Sequence, residues 1–240
     1  MFFVINTKEN IPLINLQNVI IGYDIKEPLI KIDEFNVYPG EIVVLIGSSG
    51  IGKTTLLKTI AGLVRPISGT ISVFEKTIPF HPKRGELGYI PQSLGLVRHA
   101  SVMHNVMIGA NAGHKRIWTP FPSNIAKKHA LASILAMGLD THQFKIIRKL
   151  SGGQQRRVAT ARTLAQQPRL ILADEFLSEL DEETKEIVQT KVLEYIHQTN
   201  SALLVVEHDI TRAKEMGDRL LLIKDGKILE IKQNEILEEE

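Results

Sequence analysis

The sequence predicts an α/β protein: a core built on a mostly parallel sheet, an antiparallel β flank ahead of it, and a mainly helical subdomain inserted in its middle. Three observations carry this. Short runs rich in Val, Ile and Leu, at residues 42–46, 170–173, 202–206 and 220–223, are bounded by Gly, Asp or charged residues, as strands buried on both faces are. Helical spacing intervenes, at Leu56, Ile60 and Leu63 and again at Val188, Val192, Tyr195 and Ile196. A length of 240 residues accommodates one sizeable α/β domain with a smaller insertion.

Along the chain, residues 13–46 read as several strands with turns at 22–26 and at Pro39-Gly40. Residues 92–149 differ. They carry loops rich in His, Met, Asn and Pro around residues 118–122, then an amphipathic helix at 126–138 with Leu131, Ile134 and Leu135. The expected division is therefore 1–91 and 151–240 as two parts of one core, with 92–150 as the helical insertion. Met103, Met107 and Trp118 read as core of that insertion, and the acidic residues 238–240 as a frayed end. The basic clusters at 145–149 and at Arg156-Arg157 read as solvated or interface charges.

Composition excludes several chemistries. With no cysteine there is no disulfide frame, thiol catalysis or cysteine-bound zinc, which suits a reducing compartment. A net charge of +2 with scattered basic residues gives no stripe to follow a nucleic-acid backbone, so nucleic acid is not an expected partner. No apolar run approaches the roughly 20 residues a spanning helix needs, and residues 1–6 do not resemble a secretory signal. A cytoplasmic location is expected.

The strand at 42–46 runs directly into Gly47-Ser48-Ser49-Gly50-Ile51-Gly52-Lys53-Thr54, which matches G-x-x-x-x-G-K-[ST] at every fixed position, and a helical pattern follows at 54–63. Glycines let backbone N–H groups approach phosphate oxygens without a Cβ between, and the helix start adds about half a positive charge. Lys53 is then the ligand of the β and γ phosphates, Thr54 a ligand of Mg²⁺, and Thr55 a further phosphate contact. The strand at 170–173 ends in Asp174-Glu175, and ligands of open parallel sheets bind at the carboxyl ends of strands. Asp174 is placed to hold Mg²⁺, commonly through water, and Glu175 to polarise an attacking water as general base.

A second helix start lies at Leu150-Ser151-Gly152-Gly153-Gln154, ahead of a helical face of Val158, Ala161 and Ala165. On its own this is a Ser N-cap with a glycine turn. Its order, after the phosphate loop and shortly before the carboxylate strand, resembles the signature sequence of ABC transporter ATPases, and the resemblance spans residues 13–230. It implies a RecA-like P-loop core. It also implies ATP and Mg²⁺ as ligands, and a dimer with a second copy or close paralogue in which Ser151, Gly152, Gly153 and Gln154 contact the γ-phosphate held by the other subunit. Integral membrane permease subunits are the implied partners, with a separate solute-binding protein a further candidate. The location implied is the inner face of the cell membrane.

The same resemblance assigns Tyr23 to adenine stacking, with strand packing as the alternative. It assigns Gln92 to sensing Mg²⁺ and water, His208 to the γ-phosphate, and Asp181 to the D-loop at the dimer seam. Phe176, Leu177 and Glu179 depart from the common Pro, Thr and Ala, leaving the pairing of Glu179 as an open question. Residues 101–106 and 118–122 look similar to phosphonate-type import ATPases. A soluble ABC-type ATPase acting on ribosomes or DNA is the alternative, although such proteins usually carry a second cassette or a long coiled-coil insertion. No Asn-Lys-x-Asp occurs to read guanine.

Overall fold

The computed structural model describes residues 11–79, 81–114 and 123–231. The chain runs β1 (Ile14–Ile21), β2 (Ile30–Val37), β3 (Ile42–Ile46), α1 (Lys53–Ile60), β4 (Ser68–Val73), β5 (Lys76–Thr77), β6 (Leu87–Ile90), α2 (Val102–His114) and α3 (Asn124–Ala136). It continues through α4 (Gly152–Ala165), β7 (Leu170–Asp174), α5 (Glu182–Thr199), β8 (Ala202–Val206), α6 (Ile210–Met216), β9 (Arg219–Lys224) and β10 (Lys227–Ile231). All strands join one sheet in the order β5-β4-β1-β2-β10-β9-β3-β8-β7-β6.

The sheet has two characters. From β9 to β6 every pairing is parallel, whereas β5, β4, β1 and β2 pair antiparallel. The seam between them is β10, antiparallel to β9 and parallel to β2. This is the α/β architecture expected, with β10 as an addition supplied from the far end of the chain.

The unbroken apolar runs follow from burial on both faces. In β3 successive side chains alternate, so Ile42, Val44 and Ile46 join the core beneath α2 to α6, while Val43 and Leu45 join the core shared by α1 and the flank. All five residues of β3, of β7 and of β8 are buried. Strands of this kind cannot show the alternation of a half-solvated sheet.

Among the helices two expectations change. Leu63 lies beyond the end of α1 and is 64% exposed, so only Leu56 and Ile60 of that spacing pack inward. On α3 the buried residues are Ala126, Ala130, Ser133 and Ile134, while Leu131 and Leu135 are exposed. Small residues let α3 sit close to its neighbours, and the larger leucines are turned outward. Crossing of α2 over α4 is closer still: a Cβ on Gly109 would lie 1.9 Å from the Arg162 carbonyl oxygen, and one on Gly113 2.1 Å from that of Gln166. Met103 and Met107 pack partly buried against this core, as expected. Trp118 and residues 118–122, like residues 238–240, fall outside the described residues.

Candidate nucleotide site

Four neighbouring strands, β3, β8, β7 and β6, deliver the predicted residues from their carboxyl ends. In that order they lead into the phosphate loop, His208, Asp174-Glu175, and Gln92. Distance in sequence becomes adjacency because parallel strands place all their carboxyl ends along one edge.

The loop after β3 takes conformations that its glycines permit. Gly47 has φ +147° and its Cβ position lies 2.8 Å from the Ile223 carbonyl oxygen, so a side chain there would be both strained and obstructed. Helix α1 begins at Lys53 with no side-chain cap at Gly52 and no acid in its first turn. Uncapped first-turn N–H groups and the helix dipole favour an anion. Lys53 Nζ donates to the carbonyls of Gly47 (2.6 Å) and Ser48 (2.9 Å), folding its ammonium back over the loop. Burial lowers its pKa, with Glu175 and Asp174 opposing that shift.

Asp174 is fully buried at the end of β7 and accepts the Thr54 hydroxyl at 3.1 Å through Oδ1. Its Oδ2 is buried without a partner. Desolvation pushes its pKa up, with the Thr54 hydrogen bond working the other way. An orphaned buried carboxylate oxygen beside a hydroxyl suits a hard cation, which would complete its shell with phosphate oxygens and water. The Tyr89 hydroxyl is also buried without a partner, and burial first, then Asp174, raises its pKa to about 12.

Glu175 follows in the left-handed region, φ +53°. Its carboxylate accepts Gln92 Nε2 on Oε2 at 3.0 Å and has His208 Nε2 2.6 Å from Oε1. The structure thus gathers Gln92, Glu175 and His208 opposite Ser49, Gly50, Gly52, Lys53, Thr54 and Thr55 around a cleft of about 220 Å³. All of them are residues the sequence singles out.

The remaining candidates lie elsewhere. Tyr23 sits in the turn after β1, 74% exposed, so strand packing does not account for it. Ser151 caps α4 through a capping box: its Oγ accepts Gln154 N–H and Gln154 Oε1 accepts Ser151 N–H, each at 3.2 Å. Asp181 caps α5, accepting the N–H and hydroxyl of Thr184 at 2.9 and 2.8 Å, and those bonds lower its pKa. Within this chain both side chains are engaged by their own helices.

For Arg156 the structure overturns the solvated half of the reading of Arg156-Arg157 as solvated or interface charges. Arg156 is 1% exposed, and its Nη2 lies 3.4 Å from Glu179 Oε1, which answers the open question about Glu179. Arg157 donates from Nη1 to the Met137 carbonyl at 2.9 Å. The nearby departures Phe176 and Leu177 are core residues, 1% and 2% exposed. Arg162 is a further residue that sequence patterning passes over: its guanidinium donates to the carbonyls of Leu94 and Gly95, both at 2.7 Å, bracing the turn that follows Gln92. No spacing signal identifies these arginines, because α4 is covered on most of its circumference.

A phosphate loop opening a helix, with a metal-competent aspartate and a positioned glutamate on nearby parallel strands, defines a P-loop nucleotide-binding protein. The chain belongs to the ABC transporter family, whose sequence profile matches residues 30–178. It is 34% identical over 233 residues to the Fe(3+) ions import ATP-binding protein FbpC 2 of Haemophilus influenzae, covering 95% of this chain and 63% of that one. It is 33% identical over 223 residues to the phosphonates import ATP-binding protein PhnC 3 of a Nostoc species, covering 90% and 85%. Against the dimeric post-hydrolysis structure of the ATP-binding cassette MJ0796 bound to ADP and Pi, the TM-score is 0.82 at 28% identity, covering 93% of this chain and all of that one. The chain spans about three fifths of the length of its iron-import and spermidine/putrescine-import relatives.

Proposed function

We propose that this chain is the ATP-hydrolysing subunit of an ABC import system, closing with a second copy or close paralogue around two MgATP to drive separate membrane subunits. The observation that carries this reading is the Glu175 carboxylate, held between Gln92 and His208 across a cleft from Lys53 and Thr54. Lys53 exchanges its two loop carbonyls for the β and γ phosphates. Thr54 and Asp174 would hold Mg²⁺, which would neutralise phosphate charge. Glu175 takes a proton from the attacking water while His208 orients the carboxylate and meets the γ-phosphate. Ser151 to Gln154 and Asp181 face the nucleotide held by the other subunit.

No helix among the described residues is long and apolar enough to cross a membrane. On this reading, which rests on the family likeness and the import relatives, the subunit works peripherally on the cytoplasmic face through its permease partners. Import is the direction named for the iron, spermidine/putrescine and phosphonate relatives; a separate solute-binding protein is a further candidate partner on this reading. Co-expression with the candidate permease subunits, followed by purification and ATPase assay, tests the assignment. Copurification with membrane subunits and cargo-stimulated hydrolysis are expected; a tight ribosomal or DNA partner instead would overturn it.

Nucleotide binding has its own checks. MgATP at about 100 times its Kd stabilises a binding protein by about 2.7 kcal/mol. For a domain of this size that is a Tm rise of about 5–10 °C. EDTA or Asp174→Asn is expected to remove the metal-dependent part of the rise, and an EDTA-insensitive shift counts against Asp174 as the Mg²⁺ residue. Tyr23→Ala is expected to weaken ATP binding by about 1–3 kcal/mol, the worth of a base stacked on an aromatic ring, while leaving tripolyphosphate binding unchanged. Equal loss for both ligands, measured by calorimetry, would remove Tyr23 from the adenine site.

A further inference from the structure

We infer that Arg156 is a positioning residue for hydrolysis, tying the backbone of Glu175 to the Glu179 turn and to the start of α4. The inference rests on the reading of Glu175 as general base. Arg156 is a guanidinium buried to 1% exposure, with Nε lacking any partner, so its place is not explained by packing alone. Its Nη1 donates to the Glu175 carbonyl at 3.0 Å and its Nη2 reaches Glu179 at 3.4 Å. A planar fork can hold a carbonyl and a carboxylate at once; a lysine ammonium reaching the same depth lacks that geometry.

Both acids that the fork connects sit on strained backbone. Glu175 has φ +53° and Glu179 φ +63°, conformations a glutamate adopts only when its surroundings hold it there. The Glu175 carbonyl accepts Arg156 together with the N–H and hydroxyl of Ser178, at 3.1 and 2.9 Å. Three donors on one oxygen fix the peptide from which the carboxylate extends toward Gln92 and His208. On the other side, Glu179 Oε2 lies 2.8 Å from where a Cβ on Gly152 would be, so the missing side chain of Gly152 makes room for the carboxylate beside the start of α4. A group pressing on Ser151 to Gly153 therefore acts on the backbone of Glu175 through one buried side chain.

The test uses the full chain, with MgATP turnover and thermal denaturation measured on the same preparations. Arg156→Gln combined with Glu179→Gln removes ion and counter-ion together. It is expected to keep Tm and the KM for ATP near wild type (KM within about twofold) while kcat falls about tenfold or more. Glu179→Gln alone strands the buried charge and should lower Tm more than the double change does. Arg156→Lys, which keeps the charge but not the fork, should give an intermediate kcat. If kcat of the double variant stays within twofold of wild type, or if kcat, KM and Tm all collapse together in both the double variant and Arg156→Lys, Arg156 is not a positioning residue. Should the double variant fail to fold, a wild-type kcat in Arg156→Lys overturns the inference equally. Glu175→Gln is assayed alongside, since hydrolysis surviving there would overturn the base assignment itself and not the role of Arg156.

Discussion

Glu175→Gln is expected to cut steady-state ATP hydrolysis by about 10²–10⁴-fold, the usual worth of a general base. The amide keeps the volume of the carboxylate and can still bond to His208 and Gln92, so the cleft should stay assembled and only proton acceptance is lost. Binding should survive, because the loop from Gly47 to Thr55 does not depend on that carboxylate for its shape. With turnover blocked, the ATP-bound dimer should accumulate and appear in size-exclusion chromatography as an ATP-dependent shift to twice the mass. Hydrolysis at the wild-type rate would remove Glu175 from the reaction. Loss of both hydrolysis and binding would recast it as a structural residue.

Gly109→Ala is the second large effect, and it acts on the fold. The new methyl would stand 1.9 Å from the Arg162 carbonyl oxygen and 2.8 Å from its carbonyl carbon, both backbone atoms of α4. No rotamer change relieves a clash with backbone, so α2 must back away from α4. Overpacking of this kind costs about 1–3 kcal/mol, and here the upper end is expected. That corresponds to a Tm loss of about 6–12 °C. Because α4 carries Arg156 at one end and Arg162 near the other, MgATP turnover should fall with stability. An unchanged Tm would mean that the two helices are not in contact at Gly109.

Much of the site was legible because phosphate chemistry demands particular residue types at fixed spacing. Lys53, Thr54, Asp174 and Glu175 can be named without coordinates, and the strands before them announce themselves as unbroken apolar runs. Geometry adds what spacing cannot carry: the short His208–Glu175 contact, the orphaned Oδ2 of Asp174, and the bonds that fold Lys53 back on its loop. The burial of Arg156 escapes sequence patterning for a physical reason. Charge normally marks a solvated helix face, but α4 lies against the sheet and against other helices, so its polar residues no longer report exposure. The same failure in reverse affected Leu131 and Leu135, apolar residues turned outward because alanines make the closer helix contact. Gly109 left no trace in hydrophobic periodicity, which is blind to a side chain that must be absent.

The strand order also sets a timetable for synthesis. Among the described residues, the strands that pair with β3, which ends at the phosphate loop, are β8 and β9, and those close on it from residues 202–206 and 219–224. At about 5–20 residues per second, a ribosome spends roughly ten to thirty seconds between making the loop and making its neighbours. Through that interval this fully apolar strand has packing partners in α1 and the flank but no strand to pair with. The nascent chain is therefore most exposed to misassembly, and to holding by chaperones, while it already carries the loop on which nucleotide binding depends.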